Sequence, residues 1–260
     1  MATLDTQRIE LYLPPSQAGG GLDQDEEWCE IELDGERRRI RLHDYAAIFD
    51  VPGLYEQLFS ERLECDSPEI VCQLLAAELI ALDVDPATLK ALDFGAGNGM
   101  VGEQLAAVGI ESMVGLDLLS EARDAALRDR PGLYEDYFAA DVTDLAADDR
   151  RELEAHDFNA MVCVAALGFG DIPPVAFAEA FNLLDSPGWV AFNLRDRFLE
   201  DEDPGGFGAF IARMLEEGVL VERARVTYTH RVSVAGEPLE YNAIVACKRA
   251  DVPLDWTRPS

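Results

Sequence analysis

The stretch that most constrains this chain is Leu92-Asp93-Phe94-Gly95-Ala96-Gly97-Asn98-Gly99. An apolar, strand-like run ends there and a helix-forming run, GMVGEQLAAVG, begins. Glycines let the backbone turn sharply and approach a ligand with no Cβ in the way. In an open α/β sheet, ligands bind at such carboxyl ends of strands, where the chain turns into a helix. Glycine spacing alone does not name the ligand. Gly97-x-Gly99-x-x-Gly102 also satisfies the dinucleotide pattern and keeps a nicotinamide or flavin enzyme, an NAD(P)-dependent oxidoreductase for instance, in view.

The acids around the glycines narrow the choice. Asp117 ends a second strand, VGLDLL, eighteen residues after Gly99. That is close to the spacing of about 20 at which a carboxylate grips the ribose of an adenosine. Asp141-Val142 ends a third strand in FAADV, where a side-chain acceptor and a backbone N–H can read an adenine edge. Asp93 discriminates between ligands. A pyrophosphate at the helix N-terminus is disfavoured by an added carboxylate, whereas a cofactor bearing a cationic amino acid gains from it.

Around this loop the pattern alternates. ALDFGAG, SMVGLDL, YFAADV, FNAMVCVAAL and GWVAFNL are strand candidates, separated by the helix candidates GMVGEQLAAVG, SEARDAALRD and PPVAFAEAFNLL. Such alternation predicts a mostly parallel sheet covered on both faces. RVTYTHRVSV, AGEP and LEYNAIVACKR then predict a C-terminal hairpin that closes the sheet antiparallel, making seven strands of an α/β, Rossmann-like fold. Upstream, WCEIELDGERRRIRL predicts a hairpin turning at Asp34-Gly35. Its register sets Glu32 opposite Arg37, Glu30 opposite Arg39 and Trp28 opposite Arg41, so the Arg37–Arg39 run reads as a salt-bridged face rather than an anion site. Apolar spacing of three and four predicts amphipathic helices over 54–63 and 67–82, with Ser67 as N-cap and Pro68 in the first helical position. The expected organisation is a flexible acidic arm (1–26), an N-terminal hairpin and helical lid (27–66), the main domain (67–249) and a tail (250–260).

Asp93-x-Gly95-x-Gly97-x-Gly99, then Asp117, then Asp141, then an apolar fourth strand, resembles the class I S-adenosylmethionine-dependent methyltransferases. The resemblance covers residues 67–249, terminal hairpin included. Within that superfamily, VCVAALGFGDIPP and GWVAFNLRD resemble small bacterial methyltransferase-domain proteins related to the Williams-Beuren syndrome region methyltransferases. The resemblance implies S-adenosyl-L-methionine as cofactor. It implies Asp93, Gly95, Gly97 and Gly99 around the methionine moiety, Asp117 on the ribose and Leu118 against the adenine. It further implies Asp141 and Val142 at the adenine edge and backbone near Ala165 at the methionine end. Tyr45 and Tyr55 fall where this superfamily places a lid over the acceptor, and as amphipathic-helix aromatics they equally suit a core. His230, mid-strand in VTYTHRVSV, is either a structural histidine or a third acceptor-pocket residue. Families that methylate adenine or glutamine amides end the fourth strand in Asn/Asp-Pro-Pro-Tyr. Here Asp171-Ile172-Pro173-Pro174-Val175 comes later and reads as a helix cap. No catalytic base is assigned, because an activated sulfonium needs chiefly in-line positioning of the acceptor. The same residues also suit a non-catalytic module that keeps the fold.

Composition bounds the partners. Among 260 residues, 51 Asp and Glu against 21 Lys and Arg give a formal charge of −30. Nucleic-acid binding depends on cations displacing counterions from phosphates, so no nucleic acid is expected, and no anionic membrane surface either. The acceptor is expected to be a small neutral or cationic molecule. Lysine occurs only at 90 and 248, which fits an arginine-biased, salt-tolerant surface more simply than a field built to attract a cation. Five scattered cysteines without C-x-x-C argue against disulfides and a metal site, and for a cytoplasmic setting. The opening residues lack the basic and apolar segments of a secretion signal.

Overall fold

The computed structural model describes residues 9–15, 22–33, 35–168, 170–199 and 206–257, and of residues 198 and 199 only the backbone. Asp34 of the expected turn, much of the expected arm and the acidic stretch 200–205 lie outside the described residues. The chain divides into two compact units, residues 1–66 with 229–239, and residues 67–228 with 240–260.

The first unit holds a three-stranded sheet of β1 (Glu10–Tyr12), β2 (Trp28–Leu33) and β3 (Glu36–Arg41) in that spatial order. β1 pairs with β2 antiparallel inside the stretch expected as an arm, because Ile9 and Leu11 bury on the unit's core. β2 and β3 pair in the expected register, Glu32 with Arg37, Glu30 with Arg39 and Trp28 with Arg41. Glu30 takes Arg39 at 3.0 Å and Arg37 at 3.8 Å. The guanidinium stacked on Trp28 is that of Arg39, 3.7 Å from the ring centroid, while Arg41 donates to the Asp25 carbonyl. After the short helix α1 (Tyr45–Phe49), residues Glu56–Arg62 form a π-helical turn rather than the α-helix expected over 54–63. The Leu63 N–H reaches the Leu58 carbonyl at 3.0 Å, five residues back. The buried residues Leu54, Leu58, Phe59 and Leu63 recur every four to five positions, a spacing a wider turn keeps on one face. Glu27 and Arg231, both 2% exposed, pair at 2.5 Å, and Glu27 also accepts from the Val234 N–H at 2.7 Å.

The second unit is a seven-stranded sheet. Its strands are β4 (Lys90–Phe94), β5 (Ser112–Asp117), β6 (Asp136–Ala139), β7 (Ala160–Cys163), β8 (Gly188–Arg195), β9 (Leu220–Val232) and β10 (Pro238–Lys248). The last two extend into the first unit. Spatial order is β6-β5-β4-β7-β8-β10-β9. The first five are parallel, and β10 runs antiparallel to β8 from Tyr241 opposite Arg195 to Lys248 opposite Gly188. Successive side chains of a strand point to opposite faces, so two cores form. Ala91, Val162 and Ala191 pack with α2 (Ser67–Ala81) and α3 (Met100–Val108). Leu92, Phe94, Met161, Phe192 and Leu194 pack with α6 (Pro174–Asn182) and α8 (Phe207–Glu216), and Leu153 of α5 (Ala147–Glu154) joins them. The remaining helices are α4 (Ser120–Asp129) and the short α7 (Asp196–Leu199).

Pro174 takes the first helical position of α6, and the capping position is Pro173 and not Asp171. Lys248 is fully buried, its Nζ donating to the Phe181 and Leu184 carbonyls at 2.9 and 2.6 Å and pairing with Asp251. One of the two lysines thus caps the last turn of a helix. Among the described residues no helix is long and apolar enough to cross a membrane, and no cluster of three or more His, Cys, Asp or Glu could hold a metal ion.

Candidate methyl-donor site

The expected cofactor residues of the main unit gather at the carboxyl ends of four neighbouring parallel strands. Asp93 and the glycines end β4, Asp117 and Leu118 end β5, Asp141 and Val142 follow β6, and Ala165 follows β7. Gly99 sits at the cap position of α3 with φ +89°, in the left-handed region where a side chain is disfavoured. Gly95 is required by crowding as well, since a Cβ there would lie 2.8 Å from the Ala166 Cβ.

Asp93 is fully buried. Its Oδ2 accepts a 2.6 Å bond from the Tyr134 hydroxyl, and its Oδ1 has no hydrogen-bond partner. Burial pushes the carboxyl up to about 7; the Tyr134 bond opposes that and the neighbouring Asp117 charge adds to it. The Gly102 amide, in the first turn of α3, lowers it slightly without closing a bond to Oδ1. A buried carboxylate oxygen with no donor is costly unless a ligand supplies one. A cationic ammonium fits that requirement; a pyrophosphate does not.

Asp117 is held at both oxygens. Oδ2 accepts from the Gly97 N–H and Oδ1 from the Leu119 N–H, each at 2.9 Å. Burial raises its carboxyl and these backbone bonds oppose the rise. Each oxygen keeps lone-pair capacity beyond one bond, so an oriented carboxylate can still accept from two hydroxyls. Leu118 beside it is 64% exposed, an apolar side chain left open next to a charged one. Asp141 Oδ1 caps a short turn by accepting from the Thr143 N–H and hydroxyl at 2.9 and 2.7 Å, and Val142 behind it is buried.

Several residues that shape the site were not foreseen. The Tyr137 hydroxyl donates to the Gly97 carbonyl at 2.7 Å, and its ring meets that of Tyr134 edge-on at 5.5 Å. A Cβ on Gly102 would lie 2.6 Å from the Tyr134 hydroxyl, and one on Gly115 2.5 Å from the Tyr137 ring. Gly102, which completed the dinucleotide pattern, and Gly115 in β5 thus make room for the tyrosines that hold Asp93 and the loop. Gly115 in mid-strand was the available signal, since a strand glycine often marks a close approach. Arg130 ties the loop down by donating to the Asn98 carbonyl at 3.1 Å while pairing with Glu103 at 3.0 Å.

The three expected acceptor-pocket residues belong to the first unit. Tyr45 and Tyr55 pack with Phe49 and Phe59, the Tyr55 and Phe59 rings 4.7 Å apart. His230 is buried with Nδ1 3.7 Å from the Cys65 Sγ. His156 stacks on Phe158 at 5.4 Å and lies 3.4 Å from Asp136.

Residues 92–192 match the family described as Methyltransferase domain. A ubiquinone biosynthesis O-methyltransferase of Burkholderia ambifaria (strain MC40-6) is 29% identical over 185 residues, 62% of this chain and 78% of the relative. That of Burkholderia multivorans is 29% identical over 186 residues, with the same coverage. Among solved structures, the N-methyltransferase NodS from Bradyrhizobium japonicum WM9, in complex with S-adenosyl-L-homocysteine, superposes with a TM-score of 0.53 at 16% identity. It covers 80% of this chain and 98% of its own. A S-adenosylmethionine-dependent methyltransferase from Clostridium acetobutylicum gives 0.51 at 13% identity, with 76% and 97% covered. At these identities the structures bear on the fold alone. The domain match, the relatives and the sheet agree in supporting a class I S-adenosylmethionine-dependent methyltransferase with S-adenosylmethionine as its cofactor.

Proposed function

We propose that this enzyme methylates a small neutral or cationic molecule, with a hydroxyl oxygen as the first acceptor class to test. The observation that carries the donor half is the buried Asp93 with its unpartnered Oδ1 beside a glycine turn. The acceptor half is supported by the relatives, which are O-methyltransferases of ubiquinone biosynthesis, and by the charge of −30. That charge opposes a polyanionic substrate.

When bound, S-adenosylmethionine supplies a methyl group on a positively charged sulfur. The chain's part is to bind and orient. Asp93 accepts from the ammonium of the amino-acid end, ionising as it does so. Asp117, fixed by two backbone amides, accepts from the ribose hydroxyls. Leu118 offers apolar surface to the adenine, and Asp141 and the Val142 N–H meet its polar edge. Gly95, Gly97 and Gly99 admit the backbone at close range, and backbone near Ala165 bounds the methionine end. Tyr45, Tyr55 and His230 are proposed as acceptor-side residues. The proposed setting is cytoplasmic.

Labelled methyl transfer from S-adenosylmethionine tests the reading, with phenols and catechols, an extracted metabolite pool, RNA and DNA offered in parallel. Label in a small-molecule fraction is the expected result. Label in nucleic acid at physiological salt would overturn the acceptor assignment, and label in none of these fractions would favour a binding module that keeps the fold.

A further inference from the structure

β8 carries a fully buried asparagine, Asn193, between the buried apolar Phe192 and Leu194, and its amide is bonded through both ends. Its Oδ1 accepts from the Ala165 N–H at 2.7 Å, just beyond β7. Its Nδ2 donates to the Tyr228 hydroxyl at 2.8 Å and the Ser67 hydroxyl at 3.2 Å, and those two hydroxyls lie 2.6 Å apart. Ser67 is fully buried as well. A buried polar cluster of this kind costs stability wherever it is incomplete, so a completed one points to a geometry being held.

The geometry held is unusual. Ala165 has φ +56°, a left-handed conformation that a residue with a Cβ adopts only when its surroundings impose it. The next residue, Ala166, fills the space that Gly95 leaves, since a Cβ on Gly95 would sit 2.8 Å from the Ala166 Cβ. The turn after β7 is therefore gripped on one side by Asn193 and closed against the glycine loop on the other. Sheet order gives its place along the donor. Asp117 ends β5, Asp93 ends the next strand, β4, and Ala165 follows the next again, β7. The ribose carboxylate and the Ala165 turn thus flank Asp93 from opposite sides, and the turn borders the end of the donor that carries charge.

We propose that Asn193, set by Tyr228 and Ser67, is a positioning residue that holds the Ala165–Ala166 turn as the wall of the site at the amino-acid end of the methyl donor. This rests on the methyl-donor reading above. Asn193 acts through the Ala165 backbone and touches no reacting atom.

The test compares two probes. S-adenosylhomocysteine carries the amino-acid end, and 5′-methylthioadenosine has the adenosine and sulfur without it. Asn193→Leu keeps the side-chain shape and removes the bond to Ala165. Calorimetry should show S-adenosylhomocysteine affinity falling about tenfold, the scale of one buried hydrogen bond, with 5′-methylthioadenosine within about twofold of wild type. A general loss of structure would weaken both probes equally, and that result, or no loss for either, would overturn the proposal. Should Asn193→Leu fold poorly, the triple variant Ser67→Ala/Asn193→Leu/Tyr228→Phe replaces all three partners with apolar groups, an exchange that can be nearly neutral for stability. The same split between probes is expected there. Hydrogen exchange at the Ala165 amide, read without ligand, should quicken about tenfold in either variant; an unchanged rate contradicts the proposal. Failure of wild type to bind S-adenosylhomocysteine, with Ala165 exchange still responding, would instead count against the donor reading on which it rests.

Discussion

If Asp93 takes the donor's ammonium as proposed, donor binding is a deprotonation event. Its carboxyl sits near 7, raised chiefly by burial, so in the free enzyme at pH 6 about nine molecules in ten carry a proton there. An ammonium needs the ionised form, so donor binding expels that proton. The sign follows: affinity is flat above pH 8 and falls as pH drops through 7. Between pH 8 and pH 6 the protonated fraction predicts a loss of about tenfold, equivalent to about 1.4 kcal/mol. Calorimetry with S-adenosylhomocysteine in buffers of differing ionisation enthalpy measures the protons released. About 0.9 should leave per binding event at pH 6, about 0.5 at pH 7 and about 0.1 at pH 8. Asp93→Asn should bind more weakly at pH 8 and lose the pH dependence, and it should not be less stable at pH 8, because it removes a buried charge. Proton release near zero at pH 6, or an Asn variant with undiminished affinity, would show that Oδ1 does not receive the ammonium.

Asp117→Ala strips two backbone amides of their acceptor as well as any ribose contact. It should lower donor affinity at least tenfold and also reduce unfolding free energy by about 1–3 kcal/mol, read by urea denaturation without ligand. Gly102→Ala would ordinarily stabilise a helix by about 1 kcal/mol. Here the new methyl meets the Tyr134 hydroxyl, so a net loss of about 1–3 kcal/mol is expected by the same assay, and a gain would contradict the packing described. Lys248→Met should cost about 1–3 kcal/mol by stranding the Phe181 and Leu184 carbonyls, and an unchanged denaturation midpoint would show that water replaces the ammonium there.

What the sequence made legible follows from period and punctuation. The alternating strands and helices of the main unit, its glycine turn and the β2–β3 register all rest on local spacing, and local spacing survives into the structure. The π-helical turn at Glu56–Arg62 escaped because apolar spacings of four to five sit within the scatter of an ordinary amphipathic helix. Pairing of β1 with β2 escaped because a three-residue strand carries too little pattern beside Pro14 and Pro15. Within the site, the placement of Asp93 and Asp117 was readable because each closes an apolar run where a strand meets a turn. Their supports were not: Tyr134, Tyr137, Arg130 and Asn193 reach Asp93, the glycine loop and Ala165 from 28 to 41 residues away. Such contacts are set by packing across the sheet and leave no local spacing to read.

The central claim is that a buried carboxylate turns a glycine loop of ambiguous pattern into a site for a cationic amino-acid end. The most direct measurement is a calorimetric comparison, at pH 8, of S-adenosylhomocysteine with NAD and NADP on the wild-type protein. Saturable heat with S-adenosylhomocysteine and none with either dinucleotide is the predicted result. Saturable dinucleotide binding without a response to S-adenosylhomocysteine would contradict it.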